Sequence, residues 1–218
     1  MDNFGLDEFA SRAIYKDFIS GKIINEHDYI DGELQPSHKF RELVDNIDKY
    51  REFYSLIGFE IRSVNGDAFF VSRSDRAEEL NDVAANIQVL LLMVGRGLCT
   101  QGISPGILFD DKGGVSARDI DAIGELEEVR QIMKACGLQQ PLTKPVNSIM
   151  VERGIFHRTI QERYILSSGG RIFFKELFVN DANGQTSNSD DTARSPLEPL
   201  KGSAQAFDDP TSPVGEDD

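Results

Sequence analysis

Apolar residues along this chain fall into stretches with a helical period, and most of these stretches close on a glycine. In LDEFASRAIYKDFISG the positions Leu6, Phe9, Ala10, Ala13, Ile14 and Phe18 share one face, and Gly21 stops the helix they predict. Phe40, Leu43, Val44, Ile47, Tyr50, Tyr54 and Ile57 predict a second helix, ending at Gly58. The period then changes. FEIRSV and DAFFVS flank Asn65-Gly66, a pair that tolerates positive φ, so a β-hairpin with a two-residue type I′ turn is expected. Helices followed by a hairpin describe a winged helix.

The same grammar repeats from about Asp75. Leu80, Val83, Ala84, Ile87, Leu90, Leu91, Val94 and Leu98 carry a long helix, after which the chain turns through Gly102, Pro105 and DDKGG. Ser116-x-x-Asp119 resembles a capping box: the serine oxygen meets an orphan backbone N–H, and the acid suits the positive end of the helix. That helix is expected to run through Ile120, Leu126, Val129, Ile132 and Met133 to Gly137. A third begins near Pro145, passes Val146, Ile149 and Met150, and stops at Gly154, and IFHRT and ERYIL form a second hairpin. Phe69-Phe70 and Ile172-Phe173-Phe174 read as core. Runs that put apolar residues on both faces of a strand imply that a partner covers the second face. The expected fold class is α+β: tandem winged-helix domains at 1–74 and 75–179, mostly helical with hairpin wings.

Composition changes the picture at the C-terminal end. From Asn180 onward the chain is rich in Ser, Asp, Gly and Pro, with nine acidic residues against Arg194 and Lys201. Such a segment buries too little apolar surface to offset its ordering entropy, so 180–218 is expected to be a disordered acidic tail that either solubilises the protein or competes with nucleic acid for its basic surface. The tail holds half of the net charge of -14, so the body carries about -7 and a basic patch on one face is compatible with it. The 218 residues, 39% of them hydrophobic, suffice for one sizeable core or two small ones. Cys99 and Cys136 lie far apart with no CxxC pairing, which offers neither a disulfide framework nor a zinc site; both are expected as small core residues. The start MDNFGLDEFASR lacks the features of a signal peptide and no apolar run approaches ~20 residues, so a cytoplasmic protein with no membrane partner is expected.

Catalytic chemistry leaves no signature. GxxxxGK[ST], GxSxG and HExxH are absent, and Gly95-Arg96-Gly97, the nearest glycine-rich stretch, sits at a helix end with no preceding strand. His27, Asp28 and Asp31 are the one metal-like cluster, but GKIINEHDYIDGE is dense in turn signals and reads as a solvated loop. His157, on a hairpin strand, is expected to face outward as a surface imidazole. The expectation is no catalytic residue, no metal and no cofactor. Lys144, Arg153, Arg158, Arg163 and Arg171 cluster around the third helix and wing of the second unit, where a winged helix meets a duplex; interspersed Glu152 and Glu162 fit an ordinary mixed-charge surface instead.

Three segments carry a family resemblance: IDKYREFYSLIGFEIRSVNGDAFFVSR, LNDVAANIQVLLLMVGRGL and VERGIFHRTIQERYILSS. With their spacing and the acidic tail, the chain resembles the MukE-like subunits of bacterial condensins, in particular the shorter MksE type. The resemblance implies a kleisin-interacting tandem winged-helix element (KITE) that forms a homodimer and binds the middle of a kleisin of the MukF or MksF type. That kleisin bridges the heads of an SMC ATPase of the MukB or MksB type. The complex would organise nucleoid DNA in chromosome segregation or, joined by a nuclease subunit, act against plasmids. ATP hydrolysis would belong to the SMC partner. LQQPLTKP is shorter than its counterpart in the larger MukE pattern, and no residue-level kleisin site carries over. The rival reading is a dimeric winged-helix transcriptional regulator, which would bind one duplex by itself with ~10³ or more preference over random DNA.

Overall fold

The computed structural model describes residues 5–73 and 77–182, leaving aside the side chains of 77–83 and 179–182. One order of elements occurs twice: a helix, a short strand, further helices, then a hairpin whose second strand pairs with the short strand.

In the first unit, α1 (Glu8–Ile19) is capped by the Asp7 carboxylate and leads into β1 (Ile24–Asn25). A hairpin follows, of β2 (His27–Ile30) and β3 (Glu33–Pro36). Then come α2 (His38–Asp45), α3 (Ile47–Leu56), β4 (Phe59–Val64) and β5 (Ala68–Arg73), and the sheet order is β1-β5-β4. The single helix expected over Phe40–Ile57 is two helices, because Asn46 leaves helical geometry (φ -124, ψ 26) and holds Glu42 through its amide. At the β4–β5 turn, Asn65 and Gly66 both have positive φ and the Asp67 N–H donates to the Val64 carbonyl, as a type I′ turn requires. The ladder, however, sets Val64 opposite Ala68, so Asp67 is an extra residue at the turn; its carbonyl accepts from the Glu26 N–H. The stretch expected as a solvated loop around His27, Asp28 and Asp31 is the β2–β3 hairpin, turned by Asp31-Gly32, both at positive φ.

In the second unit, α4 (Ala77–Thr100) is followed by a 3-10 turn at Pro105–Phe109 and β6 (Val115–Ser116). The Ser116 hydroxyl accepts from the Asp119 N–H at 3.1 Å and donates to the Asp119 carboxylate at 2.7 Å, which starts α5 (Ala117–Gly124). The helix expected to continue to Gly137 breaks at Leu126, whose extended backbone begins α6 (Glu127–Ala135). α7 (Thr143–Pro145) continues as a π-helix over Val146–Val151; β7 (Phe156–Arg158) and β8 (Arg163–Leu166) close the sheet β6-β8-β7. A final helix, α8 (Ser168–Ala182), runs past Asn180; the rest of the acidic segment lies outside the described residues.

The cores show where the units meet. Ile14, Phe18, Leu43, Tyr54 and Phe69 fill a smaller core within the first unit. The larger core contains α4, α5, α6 and α8 residues together with Ile23, Val64 and Ala68 of the first unit. The wing of the first unit is therefore covered on both faces by its own chain: Ile61 and Phe69 face the first core, Val64 and Ala68 the second. The partner expected on its second face is the second unit. Gly95 and Gly97 are packing residues rather than a phosphate fingerprint. A Cβ on Gly95 would run into Phe178 of α8, and one on Gly97 into Ile123 of α5. Cys99 and Cys136, expected in the core, are exposed; one lies on the outward side of α4's last turn and the other is the C-cap of α6.

Candidate functional site

Hydrogen bonds between the units run along one seam. The Ile23 N–H donates to the Arg153 carbonyl at 2.9 Å. Asn25, 4% exposed, donates from Nδ2 to the Gly154 carbonyl at 2.8 Å and accepts at Oδ1 from the Gly169 N–H at 2.9 Å. One buried amide thus satisfies two backbone groups of the second unit from the first. Gly169 must be small here, since its Cβ would meet Ala68 Cβ and Asn25 Oδ1 at 3.1 Å each.

Beside the seam, the β2–β3 hairpin lies along the β7–β8 hairpin. Tyr29 stacks on His157 with ring centroids 6.4 Å apart, and Gly32 at one tip faces Ile160 at the other. His157 was expected to face outward; it does point away from the core side of β7, but the first unit covers that face. Its Nε2 is the one buried side-chain polar atom among the described residues without a hydrogen bond. Burial pushes its pKa down to about 4; Lys22 and Arg171 push the same way, while Asp28 and Asp111 oppose them.

The five basic side chains differ in what they hold. Arg153 donates to the Gly21 carbonyl at 3.4 Å across the seam. Arg163 donates to the Gly114 carbonyl at 3.0 Å, and Arg171 donates to the Leu166 carbonyl at 3.2 Å and pairs with Asp111. Arg163 and Arg171 therefore converge on the 110–114 turn. Arg158 is exposed and paired with Glu162 at 2.8 Å; Lys144 is exposed on α7, 3.3 Å from the Gln139 side-chain oxygen. Three of the five hold backbone in place, and of the five only Lys144 and Arg158 are exposed.

Two apolar surfaces escaped the sequence reading. Among the described residues, eight of the nine large hydrophobic side chains that stay exposed belong to the first unit, led by Phe9 at 85% and Leu56 at 80%. In the second unit a groove of ≈ 360 Å³ lies between α4 and α6, with Met93 and Val129 at its base. Periodicity flags such residues as core, and only the fold shows which of them lack cover. Among the described residues no three of the His, Cys, Asp and Glu side chains converge to hold a metal, and no helix is long and apolar enough to cross a membrane.

No curated protein matches the chain. The family model described as condensin complex protein MksE matches residues 10–178. The match extends from α1 into α8 and takes in both repeats and the seam between them. The chain belongs to the MksE family and is an accessory subunit of a condensin complex.

Proposed function

We propose that this protein is the non-catalytic KITE subunit of an MksBEF-like SMC complex: a homodimer of tandem winged-helix units that binds a kleisin and, through it, an SMC ATPase. The family match is the observation that carries this reading. The repeated order of helix, strand, helices and hairpin, with sheet orders β1-β5-β4 and β6-β8-β7, supports two winged helices. The exposed apolar residues of the first unit support self-association there.

DNA contact is a shared task in this proposal. The net charge is -14 and three of the five basic side chains already hold backbone, so the free chain presents little positive charge to a duplex. Lys144 and Arg158 contribute to a DNA path that the other subunits complete, with Arg153, Arg163 and Arg171 shaping the surface behind them. The protein works in the cytoplasm at the nucleoid, in chromosome organisation or, where a nuclease subunit joins, in plasmid defence.

The test is affinity purification of the tagged protein from its native cells, with mass spectrometry of stoichiometric partners. Recovery of a kleisin and an SMC ATPase is expected, and a nuclease subunit beside them would indicate plasmid defence. Recovery of the protein alone, with sequence-selective duplex binding, would overturn the proposal in favour of a transcriptional regulator.

A further inference from the structure

The groove between α4 and α6 has apolar walls of Val89, Leu92, Leu126 and Ile132 over the buried Met93 and Val129. Its α6 side is acidic. Glu127 is held by Arg130 and Gln131, while Glu128 is exposed with no ion pair among the described residues, and Glu125 lies just before the helix. A fitting occupant carries apolar side chains flanked by positive charge.

One segment of this chain has that pattern. Beyond Ala182 lie 36 residues whose only cations are Arg194 and Lys201, and these bracket Ser-Pro-Leu-Glu-Pro-Leu. Leu197 and Leu200 are two of the few large apolar residues in an otherwise polar and acidic stretch. Reach is sufficient. Phe178 of α8 sits against Gly95 of α4, whose neighbours Arg96 and Gly97 line the groove. From Ala182, about one helical turn beyond Phe178, the chain has to pass around α4, a distance of about 10 Å, one helix diameter. The residues between Ala182 and Arg194 can span up to ~40 Å.

We infer that residues 194–201 dock into the α4–α6 groove of their own chain, Leu197 and Leu200 against its apolar walls and Arg194 and Lys201 toward Glu125 and Glu128. This goes beyond the assignment to a condensin and is tested on the isolated full-length chain, so it stands or falls separately from that assignment.

The probe is a fluorescent peptide of residues 190–205, titrated into the wild-type chain, a Leu197→Asp/Leu200→Asp chain, and the latter also carrying Glu128→Lys. A tethered segment competes at an effective concentration of order 1 mM; against an intrinsic Kd of order 100 µM it weakens peptide binding about tenfold. The Leu197→Asp/Leu200→Asp chain is therefore expected to bind the peptide about tenfold more tightly than wild type, and Glu128→Lys to reverse part of that gain. Glu128 is exposed and makes no ion pair among the described residues, so its substitution leaves folding intact, which circular dichroism checks. Equal affinity for wild type and the leucine variant, or no binding to the leucine variant, would overturn the inference. So would a kleisin fragment that fills the groove equally well in both.

Discussion

Lowering the pH should loosen this protein through His157. The imidazole is stacked between units with Nε2 buried and unpartnered, and its pKa is pushed from the ordinary 6.5 to about 4. The unfolded chain therefore takes up the proton first. The neutral ring contributes no penalty above about pH 6.5, and stability falls as the pH drops from there toward 4. At ~1.36 kcal/mol per pKa unit, linkage gives a loss of about 2 kcal/mol by about pH 5 and about 3 kcal/mol by about pH 4. Carboxylates add their own pH dependence, so the informative quantity is the difference from His157→Phe, which keeps a flat ring against Tyr29 and cannot titrate. Urea denaturation of both proteins from about pH 8 to about pH 5 should show wild type losing about 2 kcal/mol relative to the variant. Desolvation is the leading cause, so the effect should persist in about 0.5 M salt, where the influence of Lys22 and Arg171 is screened. A difference that stays constant with pH would refute the reasoning.

Asn25→Ala should destabilise the protein by about 2–4 kcal/mol, since it leaves the Gly154 carbonyl and the Gly169 N–H buried without partners; urea denaturation reads this directly. Lys144→Glu with Arg158→Glu should reduce DNA retention by the assembled complex while keeping stability within about 0.5 kcal/mol and kleisin binding intact. Arg163→Glu should cost about 1–2 kcal/mol through the lost bond to the Gly114 carbonyl, so DNA assays on that variant need thermal melts beside them. Phe9→Asp or Leu56→Asp should turn the proposed dimer into a monomer by light scattering; unchanged mass would move the interface elsewhere.

Local signals carried much of the fold. The Ser116 cap, the Asn65-Gly66 turn and the glycine stops each act within a few residues, so single-sequence reasoning reaches them. The same chemistry at Asp31-Gly32 turns the β2–β3 hairpin, whose polar run of His27, Asp28 and Asp31 has the composition of a loop. Phe173, Phe174, Leu177 and Phe178 have helical spacing and mark α8, which the glycines at 169 and 170 disguised. What the chain does not spell out is which surface covers which. The covered Nε2 of His157, the two-sided cover of the first wing and the backbone bonds of Arg153, Arg163 and Arg171 all arise from contacts between residues far apart in sequence. A run of arginines reads as a ligand surface until the fold shows how many are already engaged.

The seam at Asn25 also changes how the protein can be taken apart. Ile23, Val64 and Ala68 are built into the core that α4 and α8 organise. Taking the two repeats apart would strip these three side chains from that core and bare the far side of the first wing. The two repeats are separate in pattern and joined in folding: each depends on the other's surface, and both should melt in a single transition. A partner that pulls on one repeat therefore also loads the buried contacts of the other, through Asn25 and the shared core around Ile23, Val64 and Ala68.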